Sequence, residues 1–140
     1  MAKKQVREPR RKDSESEKIT INLGYIDLGQ IDLLVREGFY SNRTDFIRNA
    51  IRGQLGTHGE VLKKTVARHS LVLGLQRYTR KDLENLRAAG EQLHIQVLGL
   101  ATIDEDVSPQ LAAQTIASIV VLGALRVSPK VKAVLADRIR

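Results

Sequence analysis

The stretch Lys18-Ile19-Thr20-Ile21-Asn22-Leu23 decides how the first half of this chain folds. Apolar and polar residues alternate in it, which is the period-two pattern of a β-strand with one buried face. The apolar residues at positions 19, 21 and 23 point to one side, and the outward set is Lys18, Thr20 and Asn22. An isolated strand leaves its backbone N–H and C=O groups unpaired. The pattern therefore predicts that the strand pairs with the same strand of a second chain.

Two amphipathic helices are predicted directly after this strand. The first is expected to end before Gly38, and its apolar stripe has helical spacing: Leu28, Ile31, Leu34 and Val35. We expect Ser41 to be the N-cap of the second helix, where Asp45 would favour the positive helix end. The buried face of this second helix is predicted to hold Phe46, Ile47, Ala50, Ile51 and Leu55. So small a core is marginal in one chain, which again implies a partner chain.

The order strand, helix, helix resembles the ribbon-helix-helix repressors of the CopG, Arc and MetJ kind. The most specific part of the resemblance is the run Gly38-Phe39-Tyr40-Ser41-Asn42-Arg43-Thr44-Asp45-Phe46-Ile47-Arg48-Asn49-Ala50-Ile51-Arg52. In that family the turn and second helix typically read Gly, two residues, a small hydroxyl residue, and then a Phe-Ile-Arg-x-Ala-Ile-Arg-like helix. The resemblance covers Lys18 to about Leu55 and implies an intertwined dimer.

The resemblance also implies how such a dimer would bind double-stranded DNA. Two chains pair their strands into an antiparallel ribbon, which fits the major groove. The base-reading residues would be Lys18, Thr20 and Asn22. Lys can donate to guanine, Thr can offer its hydroxyl to a base edge or touch a thymine methyl, and Asn can pair with adenine. The backbone N–H groups at the start of the second helix would bind a DNA phosphate, and the matching positions are Ser41, Asn42 and Arg43.

The charge distribution is consistent with a polyanionic partner. The chain has 140 residues and a formal net charge of +7. Residues 1–17 form a polar arm without apolar periodicity, which we expect to be disordered until it meets a surface. Six basic residues of this arm would lie along the DNA backbone: Lys3, Lys4, Arg7, Arg10, Arg11 and Lys12.

The second half of the chain contains a degenerate repeat. A Val-Leu-Gly motif recurs around Gly74, Gly99 and Gly123, at spacings of 25 and 24 positions. A helix-starting residue follows each motif: Thr79, Ser108 before Pro109, and Ser128 before Pro129. Alternating strands and helices favour a parallel sheet or a solenoid-like array of three strand-helix units. The last block, residues 119–125, is almost wholly apolar, so its exposed end could bind another copy.

We therefore predict an α+β chain with four parts. These are the basic arm (1–17), the ribbon-helix-helix domain (18–57), a helical linker (58–69) and a small α/β repeat domain (70–140), which would mediate oligomerisation or partner binding. The expected assembly is a homodimer, with a tetramer or higher oligomer as a further option through the C-terminal half.

Composition excludes several other classes of protein. The chain has no cysteine, so it has no disulfide, thiolate zinc site or cysteine nucleophile. Its three scattered histidines, His58, His69 and His94, do not predict a metal site, and the acidic run 104–106 is expected to be a solvated loop. No catalytic motif is present, so we predict neither an enzyme nor a cofactor. No apolar run of about 18 residues occurs, and we expect a cytoplasmic, nucleoid-associated protein.

These features favour a dimeric, sequence-specific transcriptional regulator, and a repressor in particular. An antitoxin-type autoregulator that binds a toxin through its C-terminal half is one alternative. An architectural or partition protein that coats DNA by oligomerisation is another.

Overall fold

The computed structural model describes residues 15–140, and these residues form helices, one 3₁₀ turn and a parallel sheet. The helices are α1 (Tyr25–Arg36), α2 (Arg43–Thr57), α3 (Gly59–Arg68), α4 (Arg80–Ala89), α5 (Pro109–Thr115) and α6 (Pro129–Val134). The strands are β1 (Val72–Tyr78), β2 (Leu93–Ile103) and β3 (Ile116–Arg126), and the 3₁₀ turn spans Ala136–Arg138. The predicted α+β class is confirmed.

The first two helices begin and end close to the predicted positions. Helix α1 closes at Glu37, and Gly38 follows with a φ of 86°, a left-handed value that glycine adopts without steric cost. The Tyr40 ring meets the Phe46 ring edge-on at a centroid distance of 5.0 Å, which closes one edge of the helix pair. Helix α3 occupies the segment predicted to be a helical linker.

The helix pair buries very little apolar surface. Among residues 15–71, Ile31 is the one that is buried, with 6 % of its surface exposed. The apolar side chains that remain exposed in the same range include Ile26, Leu33, Phe39, Ile51, Leu55 and Val61. This unit therefore lacks a closed core within one chain.

The three strands form a parallel sheet in the order β1-β2-β3. The predicted parallel sheet is observed, with its strands in sequence order and the repeated blocks in register, an arrangement that a solenoid-like stack of strand-helix units shares. Each strand-to-strand connection contains a helix, because parallel neighbours need a crossover. The three helices begin where predicted: the side chains of Thr79, Ser108 and Ser128 accept hydrogen bonds from backbone N–H groups in the first turn of α4, α5 and α6. Thr79 also forms a reciprocal capping box with Asp82, and these hydrogen bonds lower the pKa of the Asp82 carboxyl.

The main hydrophobic core lies between the sheet and its crossover helices. Its members are aliphatic, as a chain with few aromatic residues requires: Leu83, Ile95, Val97, Ala101, Ile103, Val107, Leu111, Ala112, Ile116, Ile119, Val131 and Leu135. The Thr115 hydroxyl, buried at the end of α5, donates to the Leu111 carbonyl at 2.7 Å. Because its polar atom is paired, burial of Thr115 is tolerated.

The repeated glycines lie side by side across the sheet. Gly74 pairs with Gly99, and Gly99 pairs with Gly123. All three have positive φ values of 122–140°. A Cβ atom on Gly99 would overlap the Gly74 carbonyl oxygen, and one on Gly123 would overlap the Gly99 carbonyl oxygen. The sequence repeat thus places glycines 74, 99 and 123 in one row across the sheet, which we call the glycine row. A residue with a side chain could not adopt this backbone conformation without strain, and at Gly99 and Gly123 it would also clash with the adjacent strand.

The C-terminal residues cover part of the β3 edge. Ile139 bridges to Ile119, and the Arg140 N–H donates to the Ile119 carbonyl at 2.9 Å. The Arg138 guanidinium donates to the carbonyls of Ala113 and Ile116, both at 2.7 Å, where α5 passes directly into β3. Ile119 belongs to the core and its backbone is paired with the chain's own terminus, so this residue is not part of an open end. Binding of another copy through the rest of the third block stays a prediction.

Replacing Gly99 with Ala should destabilise the second domain. The added Cβ meets a backbone oxygen, and the residue would also hold a strained φ, so we expect the free energy of unfolding to fall by at least about 2 kcal/mol. Urea unfolding followed by circular dichroism measures this. Gln96→Ala, on the same strand, is the control and should change stability by about 0.5 kcal/mol or less. An equal decrease in both variants would contradict the role assigned to the glycine row.

Candidate nucleic-acid interface

The segment 18–23 has no strand partner within the described part of the chain. The predicted base-reading residues Lys18, Thr20 and Asn22 are all exposed. The alternate residues Ile19 and Ile21 are also 75 % and 60 % exposed, although their side chains are apolar. Leu23, the last apolar residue of the segment, is partly buried, whereas the sides of residues 18–22 are exposed and are available to another strand.

The start of α2 differs by one residue from the sequence prediction. Its N-cap is Asn42, whose side-chain oxygen accepts from the Asp45 N–H at 2.8 Å. Ser41, predicted to be the cap, instead contributes its backbone N–H, which donates to Oδ2 of Asp45 at 3.0 Å. Both residue types are good caps, and the turn from Gly38 places Asn42 at the last extended position before the helix. Helical geometry leaves the N–H groups of Arg43 and Thr44 without an intrahelical acceptor.

Asp45 places a negative charge at the positive end of α2. Besides the Ser41 N–H, its carboxylate accepts from Nδ2 of Asn49 at 3.0 Å. These contacts hold the carboxylate beside the free N–H groups and stabilise the helix. An external anion would share this end of the helix with Asp45.

Arg43 forms a two-pronged ion pair with Asp32 of α1. Both of its hydrogen bonds measure 2.8 Å, from Nε to Oδ1 and from Nη2 to Oδ2. The hydrogen bond and the positive charge of Arg43 lower the pKa of the Asp32 carboxyl, and Asp32 in turn raises the pKa of Arg43. Since the pKa of the Asp32 carboxyl is lowered, the stability that the ion pair contributes is fully present when the pH is above the ordinary aspartate pKa. It is lost as the pH falls through the lowered pKa of Asp32. The contact fixes the start of α2 against α1.

No sequence pattern indicated this role for Asp32. The two residues are eleven positions apart on different helices, so neither helical spacing nor a motif connects them. The pairing requires α1 and α2 to pack against each other, which is a tertiary contact.

The remaining predicted positions separate into two groups. The six basic arm residues Lys3, Lys4, Arg7, Arg10, Arg11 and Lys12 lie outside the described residues. Lys18, Thr20 and Asn22 belong to one segment and Ser41, Asn42 and Arg43 to another, and no hydrogen bond observed within residues 15–140 joins the two segments.

The acidic loop of the second domain is engaged with nearby arginines. Arg77 donates to both carboxylate oxygens of Asp104, at 2.7 and 2.9 Å, and Arg80 lies 3.9 Å from Asp106. Throughout residues 15–140, no group of three or more His, Cys, Asp or Glu side chains is arranged to hold a metal ion. His94 lies at the surface and its Nδ1 is 2.8 Å from the Ser118 hydroxyl.

The corrected cap can be tested with a pair of alanine variants. Asn42→Ala removes the side-chain acceptor of the Asp45 N–H and should cost about 1 kcal/mol of stability. Ser41→Ala leaves the backbone contact of Ser41 intact, so its effect should be about 0.5 kcal/mol or less. Urea midpoints of the full chain distinguish the two. If Ser41→Ala lowered the stability more than Asn42→Ala did, the assignment of Asn42 as the N-cap would be wrong and Ser41 would be the cap.

Comparison with known proteins gives one clear result. No curated protein and no solved structure matched the chain. In the described range 15–140, no helix has the length and apolar character needed to cross a membrane. A model of a ribbon-helix-helix transcriptional regulator family matches residues 14–132, which is most of the chain and includes both the helix pair and the parallel sheet. The chain therefore belongs to this ribbon-helix-helix transcriptional regulator family, which indicates a DNA-binding regulator of transcription.

Proposed function

We propose that the protein is a dimeric, sequence-specific repressor that reads the major groove of double-stranded DNA with a two-stranded ribbon. The observation that carries this proposal is the uncovered segment 18–23 within a chain of this family. The segment presents apolar and polar residues alternately and has no partner among residues 15–140.

Burial energetics support the dimer. Ile19 and Ile21 are exposed and precede, in sequence, a helix pair whose own apolar side chains, such as Leu33 and Ile51, are also exposed. Each such side chain gains about 1.5–3 kcal/mol on full burial. Pairing two segments into a ribbon over four helices would cover both sets and pair the backbone groups on the facing edges of the two strands.

The ribbon would then present three polar side chains from each chain to the DNA. Lys18, Thr20 and Asn22 occupy alternate positions, so they share the face opposite Ile19 and Ile21. Their hydrogen-bonding groups suit guanine, thymine and adenine edges in the major groove. Two-fold symmetry of the dimer predicts a palindromic or pseudo-palindromic operator.

The start of α2 would hold a DNA phosphate. Arg43 and Thr44 offer free N–H groups there, and Asn42 fixes the helix end. The Arg43 guanidinium is already bound to Asp32, so one role of Arg43 is to hold the start of α2 near α1. Its remaining N–H groups are additional donors for a phosphate. The Asp45 carboxylate opposes the phosphate electrostatically, which keeps this contact modest.

The regular fold of residues 72–139 supports a regulator more than an antitoxin. Antitoxin tails of the usual kind fold when they bind the toxin, whereas this half has its own aliphatic core. We infer repression because a ribbon in the major groove excludes other proteins from the same base pairs. The second half would serve assembly of the regulator.

Thr20→Ala and Asn22→Ala should selectively weaken specific binding. Removing each base-reading side chain should cost about 1–3 kcal/mol on the operator and little on unrelated DNA. The operator is first identified by genome-wide mapping of bound sites, and affinities are then measured at one fixed salt concentration.

Gln92→Ala is the matched control, since it removes an exposed polar side chain far along the sequence from the ribbon. It should leave both affinities unchanged. If Thr20→Ala and Asn22→Ala weakened binding to all sequences equally, base reading by the ribbon would be refuted.

Deleting residues 1–12 should weaken binding without changing sequence preference. The deletion removes six basic residues and one acidic residue. For each phosphate that is no longer neutralised, the slope of log K against log salt should become shallower by about 0.9. Binding to operator and non-operator DNA should fall by the same factor, and a change in their ratio would contradict a backbone-only role for the arm.

A further inference from the structure

We infer that the outer face of the parallel sheet binds the same face of a second copy of this chain, so that two sheets pack against each other with their helices outside. The outer face is defined here by two rows of residues on either side of the glycine row. One row is Leu73, Leu98 and Leu122, and the other is Leu75, Leu100 and Ala124.

The burial pattern separates this face from the core. On β2, Val97 and Ala101 are fully buried and belong to the core between the sheet and the helices. Their neighbours Leu98 and Leu100 are only partly buried and do not belong to this core. On the two other strands Leu73 is 71 % exposed, Leu75 55 % and Leu122 56 %. None of the six residues of the outer face belongs to the core cluster or is packed against it.

A parallel sheet of this composition requires a cover. Sheets made entirely of parallel strands occur almost always with both faces buried. Here α4, α5 and α6 supply the residues that bury one face. On the other face Leu73, Leu75 and Leu122 stay more than half exposed, Leu98 and Leu100 are partly buried, and Glu15 lies beside Leu75 and Leu100 at the carboxyl end. A central β2 that is apolar on both faces is typical of a strand enclosed between two layers.

A second copy fits this face in size and composition. The outer face carries three leucines that are more than half exposed, and apolar patches of about 300–600 Å² on a monomer are often functional. A specific interface buries about 1,000 Å² or more in total, so two facing copies would form a small one. If the proposed ribbon dimer forms, it links two sheets in one molecule and raises the concentration of each sheet near the other. A small interface between the sheets is then sufficient. This last step rests on the proposed function.

The two ends of the outer face differ, which bears on the relative direction of the two sheets. Arg77, which is paired with Asp104, and Arg126 lie at the carboxyl end of the strands, and the opposite end carries Gln96, His94 and Ser118. A two-fold axis along the strands would crowd the arginine side chains of both copies at one end. An axis across the strands, above the glycine row, separates the arginine pairs and places the Leu73 row opposite the Leu75 row of the partner copy.

Cysteine cross-linking of the full chain tests this inference, since the chain has no native cysteine. Leu122→Cys labels the outer face, and Val134→Cys labels an exposed position on α6 as the control. A bis-maleimide with a spacer of about 10 Å matches the separation of packed sheets. We expect Leu122→Cys to form covalent dimer at least tenfold faster than Val134→Cys. Equal rates would overturn the inference.

A charge placed in the apolar rows supplies the second arm of the test. Leu73→Glu in the Leu122→Cys chain should abolish the fast cross-link, and Val134→Glu in the same chain should preserve it. Both substituted positions are exposed, and circular dichroism confirms that each variant is folded. Fast cross-linking that persists with Leu73→Glu would also overturn the inference.

Dilution identifies the partner copy. A rate that does not change on tenfold dilution shows facing sheets within one ribbon dimer, and a rate that falls shows facing sheets between dimers. Both results support the inference. Failure of the proposed function is seen separately, as loss of operator binding by the unmodified chain, which cross-linking does not measure.

Discussion

The constraint on which the rest of the structure depends is that one chain carries more apolar surface than it can bury. In the helix pair Ile31 is buried while Ile19, Ile21, Leu33 and Phe39 remain exposed. In the sheet domain, helices cover one face and leave leucines on the other. Because the hydrophobic effect drives removal of such surface from water, both halves favour association. In the assembly that we propose, pairing of two chains would complete two separate cores.

The two halves meet this constraint by different means. The first half exposes a segment whose backbone and apolar side chains both need a partner, so pairing would create a strand that does not exist in one chain. The second half already has paired strands and a closed core, and only a surface remains to be covered. Loss of association should therefore disrupt the DNA-binding unit more than the sheet domain, because only the former lacks a core of its own.

Much of the fold could be read from local patterns. Gly38 ends α1, while Thr79, Ser108 and Ser128 start helices, because capping depends on residues within one turn of each other. The candidate interface was less predictable. The cap is Asn42 rather than Ser41, since neighbouring residues with similar capping ability are distinguished by the conformation of the turn before them. The partner of Arg43 is Asp32, on another helix, and no local pattern encodes that contact.

By itself, the sequence determined the order of the elements, the alternation of residues 18–23, the helix starts in the second half and the family resemblance of the first. These depend on short-range periodicity and capping. Only the tertiary structure decided the order and register of the repeated strands, that their glycines lie in one row, and that the C-terminal residues pair with Ile119. It also decided which leucines face outward. Strand order, register and coverage are set by contacts between residues distant in sequence, and a periodic pattern shows that a face is apolar without showing what will cover it.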